Sequence, residues 1–182
     1  MKKIARYFIL LLGLVSVTAC MEYNIENDLE SSTVEAHSIT LDGEKYYIKS
    51  EYSPNPLRLT ITEGEKLNNA WVHLTGYDKD SKKQLAIAVS IHYDREKGIT
   101  GNYIAKENAE GETIFEHGDY DLLNSFYNLR DTESSTEDKG SKGKGTFYIE
   151  DKGNKEYNVK FDFEYKNGKR AQGNITGEFS VE

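Results

Sequence analysis

Side chains able to do chemistry fall in only a few places along these 182 residues. His92-Tyr93-Asp94 and His117-Gly118-Asp119 each set an imidazole and a carboxylate two residues apart, on one side of an extended strand, from which both can reach a metal ion. Nothing in the sequence brings the two pairs together, and no metal is expected. Asp78-Lys79-Asp80-Ser81 begins like a calcium loop, yet Lys82 and Lys83 stand where oxygen ligands are needed and no glycine makes the sharp turn. Trp71, His73 and Thr75 share one parity. A hairpin turning through Asp78 to Lys83 would set them beside Ala86, Ala88, Ser90 and His92. A tryptophan over small residues, with two imidazoles nearby, suits a ligand shelf or a cavity lining. Trp71, His73, Ser90 and His92 are therefore the candidate ligand face, the alternative being that more of the chain covers it.

Hydrolytic chemistry needs a serine in a strained glycine turn, a positioned histidine and an orienting acid, and no such arrangement is visible. No glycine-rich phosphate loop precedes a helix. Asp162 and Glu164 point away from a strand whose other face is apolar, which makes them a solvated surface. Catalysis and a cofactor are thus not expected. The 13 tyrosines raise a carbohydrate-binding alternative, because aromatic faces stack on sugar rings; several of them, however, fall on core-parity positions where tyrosine is an ordinary strand former.

The elements that would position these residues follow from periodicity. Apolar residues recur at every second position, in segments parted by Gly, Asn and Asp. Leu57, Leu59 and Ile61 form one such set; Leu85, Ile87, Val89, Ile91 and Tyr93 a second; Tyr157, Val159, Phe161, Phe163 and Tyr165 a third. A two-residue turn at Asp42-Gly43 puts Ile39 opposite Tyr46, with both apolar sets on one side. At Asn167-Gly168 a two-residue turn would mix faces. A three-residue loop, Lys166 to Gly168, with Gly168 left-handed, restores agreement and pairs Phe163 with Ala171 and Val159 with Ile175. Phe161 and Tyr157 then lie across from Gly173 and Gly177, an arrangement in which rings cover cross-strand glycines.

Two stretches break the alternation. Leu122, Leu123, Phe126 and Tyr127 have helical spacing, so residues 119–130 are expected as one short helix or a covering segment. Residues 131–145, rich in Ser, Lys, Glu and Gly, are expected as a mobile loop. The fold class is all-β: an antiparallel β-sandwich of about eight or nine strands, with a closed barrel of the lipocalin kind as the alternative.

Organisation along the chain begins with Lys2, Lys3 and Arg6, an apolar run from Tyr7 to Val15 and a small-residue tail, the three parts of a secretion signal. The run is about half the ~20 residues a spanning helix needs. Val17-Thr18-Ala19-Cys20 resembles the lipobox of bacterial lipoproteins. That resemblance implies cleavage before Cys20 and lipid attachment to it, with palmitate among the acyl chains, and two or more such chains suffice for stable anchoring. Cys20 is the only cysteine, so disulfides and thiol chemistry are excluded. The ending, from Gly145-Thr146-Phe147 to Gly177-Glu178-Phe179, is similar to that of many small β-rich lipoproteins from Bacteroidetes.

Without residues 1–19 the chain keeps 20 of its 23 basic residues against 31 acidic ones, a formal charge of −11 in place of −8. Nucleic acid is an unsuitable partner for such a balance. Residues 20–36 hold Glu22, Glu26, Asp28, Glu30 and Glu35 with no basic residue, and read as the lipidated cysteine and an acidic tether. Residues 37–182 form one domain. Met21 lacks the Asp that in some bacteria marks inner-membrane lipoproteins, so the expected location is the outer membrane, on its periplasmic or cell-surface side. The function expected is that of a non-catalytic binding or envelope-assembly module whose partner is an envelope protein or small ligand. The alternatives are a lipocalin-like carrier of an apolar ligand and a carbohydrate-binding surface lipoprotein.

The lipidation reading makes a direct prediction. Cells fed labelled palmitate should label the wild-type chain and leave Cys20→Ser unlabelled, and that variant should move from the membrane fraction to the soluble extracytoplasmic fraction. An ordinary secretion signal would give no label in either protein.

Overall fold

The computed structural model describes residues 37–107, 113–114 and 120–182. The signal segment, the lipobox Val17 to Cys20, the acidic tether up to residue 36, and the His117-Gly118-Asp119 pair lie outside the described residues. In chain order the strands are β1 (Ser38–Leu41), β2 (Glu44–Tyr47), β3 (Leu57–Thr62), β4 (Leu67–Tyr77), β5 (Lys83–Asp94), β6 (Gly101–Glu107) and β7 (Thr113–Ile114). They continue with β8 (Tyr120–Asp131), β9 (Glu137–Ser141), β10 (Lys144–Gly153), β11 (Glu156–Glu164), β12 (Arg170–Glu178) and β13 (Ser180–Val181). The described chain is all-β and contains no helix.

The strands join in one hydrogen-bonded path, β7-β6-β10-β11-β12-β1-β2-β4-β5-β8-β9, with β3 added beside β4 and β13 beside β3. Every pairing is antiparallel except β13 with β3. The path does not close into a barrel. It folds around a single apolar core to which nearly every strand contributes, as in a β-sandwich whose two halves remain connected. Thirteen strands replace the expected eight or nine because short pieces such as β7 and β13 extend the ladders.

Alternation sets this architecture. In β11, Tyr157, Val159, Phe161 and Phe163 are buried, while Asn158, Lys160, Asp162 and Glu164 face outward. Sheets with one dry face must keep their register, since a slip of one residue would exchange the two sets. The hairpins hold it as the sequence indicates. Ile39 pairs with Tyr46 across the Asp42-Gly43 turn. Phe163 pairs with Ala171, Phe161 with Gly173 and Tyr157 with Gly177, with Gly168 at φ 81° closing the three-residue loop.

Residues 119–130 correct one expectation. The described part is strand, and its helical spacing comes from a bulge: Ser90 of β5 pairs with Asn124 and Ile91 with Leu122, leaving Leu123 as the extra residue. Leu122, Ser125 and Tyr127 are buried, and Phe126 belongs to the opposite face. Strand wins because the long edge of β5 offers twelve residues of backbone groups that need partners. Residues 131–145 correct another. A turn at Asp131 to Thr136 leads into β9, whose Gly140 lies across from Tyr127. Asp131 caps that turn, accepting from the Glu133 and Ser134 backbone N–H groups at 2.9 and 2.7 Å.

One end of the core is fastened by side chains. Asn167 Nδ2 donates to the Tyr127 hydroxyl at 2.6 Å, the hydroxyl donates to Asp138 Oδ1 at 2.9 Å, and Lys169 pairs with the other oxygen of Asp138. The rings of Tyr127 and Tyr165 meet edge to face, 4.8 Å between centroids. This network ties β8 and β9 to the turn between β11 and β12, so the two halves of the folded sheet are held together across the core.

The ring of Phe161 occupies the space a Cβ at residue 173 would need: Phe161 Cε1 would lie 2.3 Å from it. Gly173→Ala should therefore lower stability by about 1–3 kcal/mol, the usual cost of overpacking, read as a lower urea midpoint at unchanged slope. An unchanged midpoint would mean that Phe161 does not rely on this glycine.

Candidate functional site

The outer faces of the two halves differ in chemistry. On β10, β11 and β12 the outward residues carry charge of both signs. Asp162 receives both nitrogens of an Arg170 fork, with Nε at 2.7 Å, and Gln172 Nε2 at 3.0 Å. Lys152 pairs with Glu150 at 2.9 Å, and Lys160 lies over the Tyr148 ring. Exposed pairs of this kind contribute little stability and keep the surface solvated. Asp162 and Glu164 are thus part of a charged outer surface.

On β3, β4, β5 and β8 the outward positions are mostly neutral. Antiparallel register lines them up in rows across the strands. Arg58, His73, Ala88 and Phe126 form one row; Thr60, Trp71, Ser90 and Asn124 a second; Thr75, Ala86 and Asn128 a third. In a chain with 30% charged residues, these three rows hold one formal charge on β3, β4, β5 and β8, Arg58; one strand further, on β9, the third row continues to Lys139, which pairs with Glu137. Small side chains on β5 leave room above the sheet for the rings on either side.

Those rings form a continuous strip. The Trp71 indole lies 6.0 Å from His73, at 22° between planes, and 6.0 Å from Phe126, at 20°. All three are half-buried. Further along the same face of β4, Tyr77 pairs with Tyr52, 5.3 Å between centroids, and its hydroxyl accepts from Gln84 Nε2 at 3.0 Å. Tyr52 is 52% exposed. The aromatic positions 71, 73 and 77 extend over roughly 20 Å of strand, at ~3.3 Å per residue.

Polar groups border the strip. Ser90 Oγ donates to Asn69 Oδ1 at 3.4 Å. Two atoms of this face are shielded from solvent and unpaired, Arg58 Nε on β3 and Asn128 Oδ1 on β8. An unpaired donor and an unpaired acceptor flank the rings. Burial chiefly, and then the Arg58 guanidinium opposite, hold the His73 imidazole below its ordinary pKa, while the Glu182 carboxylate pulls the other way. His73 accordingly stacks on Trp71 as a neutral ring at neutral pH.

The candidate ligand face is brought together for Trp71, His73 and Ser90. His92 sits one row further along β5, opposite Asn69. Phe126 was concealed by its helical spacing. Read as a strand, residues 125–130 alternate Ser125, Tyr127 and Leu129 against Phe126, Asn128 and Arg130, a pattern that would have revealed it. His92 and Asp94 do share a side of β5, and among the described residues no group of three metal-ligating side chains gathers. At the calcium-like loop the oxygens already hold a cation: Lys49 Nζ donates to the Asp78 and Lys79 carbonyls at 3.3 Å and to Ser81 Oγ at 3.2 Å. A separate cleft of about 520 Å³ lies between the Ile48 to Leu57 segment and Lys155, Glu178 and Phe179. Its lining mixes Pro54 and Pro56 with apolar Ile48, Leu57 and Phe179, short polar groups, and the charged Lys155 and Glu178. No family model, curated protein or solved structure matches the chain.

Trp71 is the only tryptophan, so its emission reports on this face alone. Lowering the pH should change that emission with a midpoint below the ordinary 6.5 of histidine, and His73→Gln should remove the step. Stability carries the same signature. Between the depressed midpoint and 6.5 the unfolded chain binds more protons than the folded one, so stability rises with pH across that window. His73→Gln should flatten that part of the urea-midpoint profile; an emission step that survives the substitution would assign it to another group.

Proposed function

We propose that this chain is a lipid-anchored, extracytoplasmic binding module of the outer membrane, acting without catalysis through the outer face of β3, β4, β5 and β8. The anchor rests on Val17-Thr18-Ala19-Cys20 behind a secretion signal. The single observation that carries the binding reading is the strip of near-parallel rings, Trp71 with His73 and Phe126, over small residues on an otherwise neutral face. Half-buried aromatic rings with neutral hydrogen-bonding groups at their border suit a ligand or partner that stacks.

The arrangement favours a surface site over an internal one. A carrier of the lipocalin kind needs a chamber inside its sheet, whereas the interior here is occupied by Tyr46, Tyr103, Phe147, Phe161, Phe163 and Phe179, each less than 2% exposed. Trp71 faces outward from that core. The side chains on the proposed face are ring systems, amides, hydroxyls, methyls and the Arg58 guanidinium, and the Ser90 hydroxyl donates to Asn69 rather than to a histidine that could activate it.

The acylated Cys20 leaves no free thiol in the mature chain, which makes a thiol footprint clean. Ala86→Cys on the proposed face and Lys160→Cys on the charged face should react equally with a membrane-impermeant maleimide in the purified full-length protein. In native envelopes with the outer membrane permeabilised, Ala86→Cys should be protected several-fold and Lys160→Cys should not. Equal reactivity of both in envelopes would refute a working surface at this face.

A further inference from the structure

We infer that the ligand of the aromatic face is a neutral carbohydrate chain, an inference that rests on the binding reading above and adds its chemical class. Three features of the face select this class together. The first is ring area: Trp71, His73 and Phe126 give a continuous apolar strip, and sugar rings present C–H faces that pack on aromatic carbon. The second is the kind of polar group beside it. Thr60, Ser90, Asn124 and Asn128 stand in the same rows as the rings. Hydroxyls and amides both donate and accept, as sugar hydroxyls do; of these four, Thr60, Asn124 and Asn128 are half-buried, whereas Ser90 is buried and donates to Asn69.

The third feature is charge. The opposite outer face, built from the same kind of strand, carries paired Lys, Arg, Asp and Glu side chains, so outward positions of this fold tolerate charge readily. Its near-absence from the aromatic face therefore marks a surface suited to an uncharged ligand. An anionic polysaccharide would face a chain of net charge −8, with Arg58 the one cation of these rows on β3, β4, β5 and β8 and Lys139, beyond them on β9, already paired with Glu137. A purely apolar partner would leave the amides and hydroxyls without water or partners, at a cost of about 1–3 kcal/mol for each group left unpaired. The length of the strip supports a chain over a single sugar. From Arg58 to Asn128 the face spans three strand spacings, about 14 Å.

The test is affinity electrophoresis of the full-length protein in non-ionic detergent, in native gels containing starch, xyloglucan, galactomannan or mixed-linkage β-glucan, with polygalacturonate as the charged comparison. Retardation is expected in at least one neutral gel and should persist between about 0.05 and 0.5 M salt, because no ion pairs are involved. Trp71→Ala and Phe126→Ala should each weaken it about tenfold or more. Lys160→Ala, on the charged face, should leave it unchanged and shows that altered mobility is not a general effect of substitution. Urea midpoints for the two ring variants establish that they are folded, and Trp71→Phe, which keeps a ring, should retain part of the binding.

Migration unaffected by all four neutral polysaccharides, retardation by polygalacturonate alone, or retardation that survives both ring substitutions would overturn the inference. The thiol footprint separates its failure from failure of the binding reading. Protection of Ala86→Cys that resists glycan-degrading enzymes but yields to protease would assign the face to a protein partner, so that only the carbohydrate inference falls. No protection and no retardation would remove both.

Discussion

Phe161 can cover its neighbouring strand only because Gly173, its partner on β12, has no side chain, and Tyr127 stands in the same relation to Gly140 on β9. A ring that spreads over an adjacent strand fixes which residues lie opposite one another. Once that register is held, parity is held for the whole ladder, and every second residue is committed to the core. The dry face then supplies the cohesion of the fold through burial of apolar surface, at roughly 25 cal/mol per Å² removed from water. The polar staple of Asn167, Tyr127, Asp138 and Lys169 closes one end of that core.

A consequence of committing one face is that the other is released from the demands of folding. The two halves use that freedom differently. Strands β10, β11 and β12 display alternating charge, the ordinary way to keep a sheet surface soluble and to discourage edge pairing. Strands β3, β4, β5 and β8 instead display Trp71, His73 and Phe126 among alanines, serine and asparagines. Half-exposed rings add little to the core beneath them, and their alignment across three strands gives that surface its distinct chemistry. The depressed pKa of His73 belongs to the same picture, for a neutral imidazole is the form that stacks without demanding hydration.

The segment around residues 119–130 shows how a periodic signal can mislead. Leu122, Leu123, Phe126 and Tyr127 match one face of a helix, and in isolation that pattern is a fair description. Beside β5 the same residues meet an edge whose backbone groups need partners, and a single extra residue, Leu123, lets the strand change phase once and then alternate. Leu122 and Tyr127 enter the core while Phe126 joins Trp71 outside. Residues 131–145 follow from that outcome, because β9 has a partner only when β8 is extended.

Local alternation and turn chemistry, both legible in the sequence, determined the strand parities, the Asp42-Gly43 turn, the three-residue loop before Lys169 and the neighbours of Trp71 on β5. Each depends on residues close together in the chain, where the side-chain period and a left-handed glycine leave few arrangements open. The tertiary structure alone decided that β8 lies against β5, that β9 extends the sheet, and that the path folds around one core without closing. Those outcomes depend on which distant strands bury each other's apolar faces, a non-local balance of packing against loop closure that spacing along the chain does not record. The candidate site divides in the same way: Trp71, His73 and Ser90 came together through one hairpin, whereas Phe126 reached them across a strand pairing that no local pattern specified.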